Sequence, residues 1–377
     1  MRIAISAIAL LACHVAAPAQ QPAPSNVRGG EYPKIDADRR VTFRVKAPNA
    51  KSVAVAGRAE DSGMNGNKPY EMTRGENGVW TVTTDPVRPG FHYYELIIDG
   101  WHCNDPASES YFGWGQPSSG LEVPDSSLDF YEATDAAHGE VRSRYYRSKV
   151  TGAIRRAFVY TPPDYDRNPK RRYPVLYLQH GAGESERGWT AQGRANFILD
   201  NLLAAGKAKP MIIVMENGYA TKAGQKPAAG ARDNGAFEEL MVRDVVPLID
   251  SNYRTIADRN HRAIAGLSMG AGQALQIGLR NLGLFDSIAA FSGGGRDFDP
   301  RTSFGGVLAD PVAANRRIRL LWMGCGTEDR GYASGKSFHE ALTAAGIRHV
   351  WVEGPGSHEW QVWRKHLFDL APRLFRE

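Results

Sequence analysis

Over residues 41–100 apolar and polar positions alternate in short runs: Val41-Thr42-Phe43-Arg44-Val45, Ser52-Val53-Ala54-Val55-Ala56, Val79-Trp80-Thr81-Val82 and Tyr93-Tyr94-Glu95-Leu96-Ile97-Ile98. A period of two marks strands. Turn-forming residues separate the runs, at Pro48-Asn49, Asn65-Gly66-Asn67, Glu76-Asn77-Gly78 and Arg88-Pro89-Gly90, and no helical period intervenes. A small immunoglobulin-like β-sandwich is the economical fold. Residues 115–138 then turn to Pro, Ser, Gly and Asp, with Gln116-Pro117-Ser118-Ser119-Gly120 reading as a connection between domains.

After Gly139 the rhythm changes. The runs Tyr173-Pro174-Val175-Leu176-Tyr177-Leu178, Met211-Ile212-Ile213-Val214-Met215, Arg262-Ala263-Ile264-Ala265, Ile288-Ala289-Ala290-Phe291, Leu320-Leu321-Trp322-Met323 and His349-Val350-Trp351-Val352 are largely apolar on both parities. Strands covered on both faces look like this. Segments long enough for amphipathic helices lie between them, at 195–205, 237–252, 271–281, 336–345 and 360–374. Strands alternating with helices predict a parallel sheet. The chain therefore divides into a sandwich module over 27–125, a linker over 126–139 and an α/β domain over 140–377.

Composition agrees with two globular parts, since 42% of the 377 residues are hydrophobic and 23% charged. No uninterrupted apolar run reaches the length of about 18 residues that a membrane-spanning helix needs. The formal charge is +5 and the pI near 9.0, but Lys and Arg are scattered rather than gathered in a stripe, which argues against nucleic acid as a partner. At the N-terminus Arg2 precedes an apolar run over 3–12, and Ala17-Pro18-Ala19 offers small residues for cleavage, so residues 1–19 read as a secretory signal. Leu10-Leu11-Ala12-Cys13 also resembles a lipobox, which would tether the protein through Cys13; a secreted or periplasmic protein without the anchor is the preferred reading. Beyond that segment only Cys103 and Cys325 remain, too few for a disulfide framework.

The candidate chemistry lies in the second domain. Gly266-Leu267-Ser268-Met269-Gly270 follows one expected strand and opens an expected helix, the setting of a nucleophile elbow with Ser268 exposed on a sharp turn. The N–H of Met269 would supply one oxyanion donor and that of Ala182, in His180-Gly181-Ala182-Gly183, a second. The partners of such a serine follow it in the order acid, then histidine. His339, His349 and His366 fall in expected helices or strands, whereas His358 stands in the loop Gly354-Pro355-Gly356-Ser357-His358 and is the expected base. Glu328 and Asp329, after the strand run ending at Met323, are the candidate acids. Cys325 beside them reads as a small buried residue.

These residues resemble the feruloyl and acetyl-xylan esterases of carbohydrate esterase family one. The resemblance covers residues 144–375 and rests on Tyr160-Thr161-Pro162-Pro163-Asp164-Tyr165, the run from Tyr173 through Gln179-His180-Gly181, Asp200-Asn201-Leu202, Ser251-Asn252-Tyr253, the elbow, Gly326-Thr327-Glu328-Asp329 and Gly356-Ser357-His358-Glu359-Trp360. It implies an α/β-hydrolase fold, selects Asp329 over Glu328 as the triad acid, and matches His358 as the base. Gly270-Ala271-Gly272 departs from the consecutive glycines usual there, which touches helix packing more than chemistry. The N-terminal half resembles early-set sandwich modules related to glycogen-binding domains, through Phe43-Arg44-Val45-Lys46-Ala47-Pro48 and Tyr94-Glu95-Leu96-Ile97-Ile98-Asp99-Gly100.

The implied activity is a serine esterase removing feruloyl or acetyl groups from xylan-type hemicellulose, with plant cell-wall polysaccharide as partner and neither metal nor cofactor. Siderophore esterases and a carbohydrate-binding protein with a vestigial esterase domain are the alternatives, and acyl transfer would use the same triad. Trp189, Trp360 and Trp363 flank the two active-site loops as a candidate aromatic wall. A further cluster, Trp101, Tyr111, Phe112 and Trp114, is expected near the active site, shaping the polysaccharide cleft.

Overall fold

The computed structural model describes residues 20–27, 29–58, 64, 68–125, 129–226, 234–295 and 297–376. The expected signal segment with Cys13, the Asn65-Gly66-Asn67 turn and part of the expected linker lie outside the described residues. Among the described residues no helix is long and apolar enough to cross a membrane.

The six longest strands of the N-terminal module are β1 (Arg40–Lys46), β2 (Val53–Gly57), β3 (Val79–Pro86), β4 (Gly90–Ile98), β5 (Ser110–Gly113) and β6 (Gln116–Val123). β1 pairs with β3 in one sheet, and β5, β6, β4 and β2 lie in that order in the other. Phe43, Val53, Val55, Tyr94, Leu96, Leu121 and Val123 fill the space between the sheets. β4 is buried on both faces: Tyr94 and Leu96 point into the sandwich, while Phe91 and Tyr93, on the opposite parity, join the core of the second domain.

The stretch Gln116-Pro117-Ser118-Ser119-Gly120 is not the interdomain connection its composition suggests; it opens β6, which pairs with both β5 and β4. Its small polar residues are tolerated because they find partners inside the module. The N–H of Asp105 donates to Ser119 Oγ at 2.7 Å, and the Ser118 hydroxyl donates to the Gly113 carbonyl at 3.3 Å.

The second domain is built on β7 (Glu140–Arg147), β8 (Ile154–Thr161), β9 (Val175–Gln179), β10 (Ile212–Glu216), β11 (Arg262–Leu267), β12 (Ser287–Phe291), β13 (Leu320–Gly326) and β14 (Val350–Gly354). Their order is β7-β8-β10-β9-β11-β12-β13-β14, antiparallel through β10 and parallel from there onward. β7 and β8 escape the pattern of apolar runs, since they form a hairpin at the sheet edge in which β7 is mostly exposed and Arg155 and Arg156 of β8 pair with buried Glu216 and Glu186. The helices α1 (Ala195–Ala204), α2 (Met269–Arg280), α3 (Tyr332–Ala344) and α4 (Trp360–Leu370) cover the two faces. α2 and α3 share one apolar cluster, and α1 and α4 share the other with Phe91 and Tyr93. The expected helix over 360–374 ends early, in a 3-10 turn at Ala371–Arg373 around Pro372.

A buried ion pair joins the two domains. Arg364 on α4 and Glu122 on β6, 0% and 2% exposed, form two bonds of 2.7 and 2.9 Å, and Arg364 Nε donates to the Gln192 carbonyl at 2.8 Å. Planar guanidinium against carboxylate is the geometry in which a buried pair best offsets its desolvation.

Candidate active site

β11 ends at Leu267 and α2 begins at Met269, so Ser268 alone makes the turn. Its backbone lies at φ 53°, ψ −111°, a conformation that side chains rarely adopt, and its N–H is tied to the Phe291 carbonyl at 2.9 Å. Strain of this kind persists only where the surroundings hold it. Both flanking glycines are sterically required. A Cβ at Gly266 would lie 2.4 Å from the Gly270 carbonyl oxygen, and one at Gly270 would lie 2.6 Å from that of His180. The N-terminal N–H groups of α2 thus converge on Ser268.

The His180–Gly183 loop lies against the elbow, since a Cβ on Gly181 would come within 3.4 Å of Ser268 Cβ. His180 sets this loop. Its Nε2 accepts the N–H of Gly218 at 2.9 Å, which leaves the proton on Nδ1, and Nδ1–H donates to the Gly181 carbonyl at 2.8 Å. Fixing that carbonyl fixes the same peptide's N–H, which belongs to Ala182 and points the opposite way. Burial pushes the imidazole down to about 4, so it stays neutral and keeps this pattern.

Asp329 follows β13, and its Oδ2 lies 2.9 Å from His358 Nδ1. Burial alone would raise this carboxyl, but the hydrogen bond and charge of His358, the Gly331 N–H and the Ser292 hydroxyl outweigh it and hold Asp329 below the usual range. Glu328 points away instead and pairs with Arg88 of the N-terminal module at 3.1 Å. The His358 ring meets Trp363 edge-on at 5.1 Å, and Trp363 Nε1 donates to Ser292 Oγ at 2.9 Å. Cys325 is buried; burial and the nearby Asp329 push its thiol up to about 12. His339 and His349 bond to each other at 2.7 Å, and His366 packs between Phe291 and Trp322.

Ser268 and His358 open onto one cavity of about 270 Å³, lined also by Ala182, Arg330, Trp360 and Trp363. Trp189 is not part of this wall. It is fully buried beneath it, with Nε1 bonded to the Gln179 carbonyl and its ring edge-on to Trp360. The sandwich also lines the cavity, with Trp114 from the expected cluster and with Phe91, His92, Tyr93 and Gly115, which sequence reasoning missed. Of the aromatic cluster expected at the cleft, Trp114 reaches it and Tyr111 packs on Phe91, whereas Trp101 is 80% exposed and does not line the cavity. Trp101 pairs with Ile98 at the far end of β4, beyond the pairing with β6 that stops at Tyr94. Sequence reasoning also missed Glu184, whose buried carboxylate accepts from the Tyr93 hydroxyl at 2.8 Å and from Gln192 at 3.2 Å.

The family model for esterases matches residues 148–374, and the model for carbohydrate-binding module 48, the isoamylase N-terminal domain, matches residues 30–111. The chain belongs to the esterase family. It is 39% identical over 361 residues to an endo-1,4-beta-xylanase/feruloyl esterase of Xylanibacter ruminicola, covering 94% of this chain but 47% of that relative. The chain thus spans about half that relative's length. A ferulic acid esterase of Anaeromyces mucronatus, solved with ferulic acid, superposes with a TM-score of 0.56 at 28% identity, over 66% of this chain and 96% of the other. An enterobactin esterase of Shigella flexneri superposes over 89% of this chain and 93% of its own, with a TM-score of 0.64 at 18% identity, a likeness of fold.

The buried ionisable groups around the esterase site predict how stability varies with pH. Burial pushes Glu184 up to about 8 and Glu216 up to about 7 from an ordinary 4.5. The folded chain holds protons there that the unfolded chain releases above about pH 4.5, so these groups lower stability as pH rises toward 8. His180 and His366, both pushed by burial down to about 4 from 6.5, act oppositely: the unfolded chain gains protons that the fold refuses, and stability falls as pH drops from about 6.5 toward 4. The thermal midpoint should peak between about pH 4.5 and 6.5. Glu184→Gln should flatten the alkaline limb; an unaltered limb in a melting series would remove Glu184 from this balance.

Proposed function

We propose that this chain is an exported serine esterase that hydrolyses feruloyl and related hydroxycinnamoyl esters on xylan-type hemicellulose. Ser268 Oγ attacks the ester carbonyl while His358 Nε2 takes its proton, and Asp329 holds the Nδ1–H tautomer and stabilises the imidazolium. The N–H groups of Ala182 and Met269 receive the oxyanion. His358 then gives the proton to the departing sugar oxygen as its bond to the acyl carbon breaks, and water repeats the sequence on the acyl-enzyme.

The observation that carries this reading is the cavity over Ser268 and His358, walled by Phe91, Tyr93, Trp114, Trp360 and Trp363. Its volume is that of about nine waters at about 30 Å³ each, so an acetyl group would leave most of it empty and an aromatic acyl group would fill it. Aromatic walls suit a flat ring through offset or edge contacts. The name of the Xylanibacter relative and the ferulic acid in the Anaeromyces structure favour the same substrate class. A catecholate siderophore would call for a more basic pocket, and among the lining residues Arg330 supplies the one permanent positive charge. Residues 1–19 support export.

A hydrolysis panel of methyl ferulate, acetylated xylan and a catecholate triester tests the assignment. The largest kcat/KM is expected for methyl ferulate, with ferulate released from feruloylated arabinoxylan. Dominant acetyl or catecholate release would overturn it.

A further inference from the structure

The N-terminal sandwich touches the loops that carry the proposed oxyanion donor Ala182, the acid and the base. At the oxyanion side, the Trp114–Gly115 turn between β5 and β6 sits on the His180–Gly183 loop. The Gly115 N–H donates to the Gly183 carbonyl at 2.8 Å, and the approach is so close that a Cβ on Gly183 would lie 2.9 Å from Trp114 Cα. On the base side Trp360 Nε1 donates to the Tyr93 hydroxyl at 3.2 Å, and one side chain of the module reaches both the acid loop and the base loop. Arg88, in the turn between β3 and β4, reaches Glu328 at 3.1 Å, Glu359 at 3.4 Å and the Ser357 hydroxyl at 3.5 Å. Glu328 precedes Asp329, while Ser357 and Glu359 stand on either side of His358. Glu359 in turn accepts the Ser357 N–H at 3.1 Å. The guanidinium is therefore shared between the loop that carries the acid and the loop that carries the base. Its own backbone is held by His92, whose Nε2 lies 2.6 Å from the Arg88 carbonyl.

We propose that Arg88 is a positioning residue for the esterase reaction: it clamps the His358 loop to the Asp329 loop, so that the sandwich module sets the catalytic geometry for every ester, small or polymeric. The proposal rests on the reading of His358 as the base and Asp329 as its acid. A role in anchoring the module is the competing explanation, and position distinguishes the two. The Arg88 side chain is 37% exposed, where water and salt screen its ion pairs. Docking rests instead on buried contacts, among them the Glu122–Arg364 pair and the bonds of Tyr93 to Glu184, Gln192 and Trp360. Loss of Arg88 should thus be felt in turnover rather than in stability, because small misplacements of a catalytic group are costly in rate.

The test uses the full chain with methyl ferulate and with a small acetyl ester. Arg88→Met is expected to lower kcat about tenfold on both substrates and to leave KM within about twofold. The melting temperature should change by no more than about 2 °C. Arg88→Lys, which keeps the charge but not the fork of donors, should regain part of the lost turnover. Arg88→Met and Glu359→Gln should be non-additive in log kcat, as expected of partners in one contact. An unchanged kcat in Arg88→Met overturns the proposal, and so does a kcat loss that Lys does not relieve and that tracks a fall in melting temperature. His358→Ala keeps the outcomes separate. If that variant stays active the triad reading has failed, whereas an inactive His358→Ala beside a fully active Arg88→Met defeats the clamp alone.

Discussion

Ser268→Ala is expected to lower kcat for methyl ferulate by about 10⁴- to 10⁶-fold, leaving only what binding and the oxyanion donors supply. The melting temperature should hold, because alanine keeps the Cβ and the backbone at φ 53° and only a hydroxyl that opens onto the cavity is lost. Asp329→Asn should also be severe. The asparagine amide would donate toward His358 Nδ1, where the carboxylate now accepts at 2.9 Å, and would favour the tautomer that cannot take the serine proton. Glu328→Gln should be mild by comparison, since Glu328 bonds Arg88 and not the imidazole. Steady-state kinetics of the three variants checks the ordering, and a Ser268→Ala enzyme retaining a tenth of its turnover would remove the elbow from the mechanism.

The elbow was legible because its geometry is decided within a few residues: a strand, a serine between two glycines, and a helix. His358 and Asp329 stand in short loops after the last two strands of a parallel sheet, where topology alone directs side chains toward the same end. Of the cavity walls, Trp360, Trp363 and Trp114 stand among the aromatic residues expected there, whereas Phe91 and Tyr93 do not. Phe91, Tyr93 and Trp114 reach the site only because the sandwich docks on the esterase domain, and the residues that dock it are far apart in the chain, Glu122 and Arg364 by 242 positions. One local signal did exist. β4 carries aromatic residues on both parities, Phe91 and Tyr93 opposite Tyr94 and Leu96, and a strand apolar on both sides is covered on both sides. Trp189 shows the reverse error, since proximity in sequence to the His180 loop says nothing about which side of the chain the ring takes. The stretch from Gln116 to Gly120 reads as a linker by composition, and only its pairing with β4 and β5 makes it strand.

The second large effect expected is on stability. Arg364→Ala would leave buried Glu122 with only the longer ion pair to Arg194 at 3.6 Å, and removing one partner of a buried ion pair costs up to about 3–5 kcal/mol. Arg364 also satisfies the Gln192 carbonyl, whose amide belongs to the cluster with Tyr93 and Glu184. The loss should therefore loosen the module as well as lower the melting temperature, by roughly 1–2 °C per kcal/mol for a chain of this length. Activity should fall in parallel as the sandwich separates from the cavity. Replacing both partners, Glu122→Leu with Arg364→Met, should recover most of the loss because no charge is then stranded. Calorimetry of the single and double variants decides it, and a single variant melting like the parent would show that other contacts dock the module.

The most direct measurement of the central claim is mass spectrometry of the enzyme quenched during turnover of methyl ferulate, with peptide mapping of any adduct. The expected result is a feruloyl group esterified to Ser268, accumulating in His358→Ala far more slowly than in the parent and absent from Ser268→Ala. Hydrolysis proceeding with Ser268 unmodified under conditions where an acyl-enzyme would be trapped, or an adduct mapped to another residue, would contradict it.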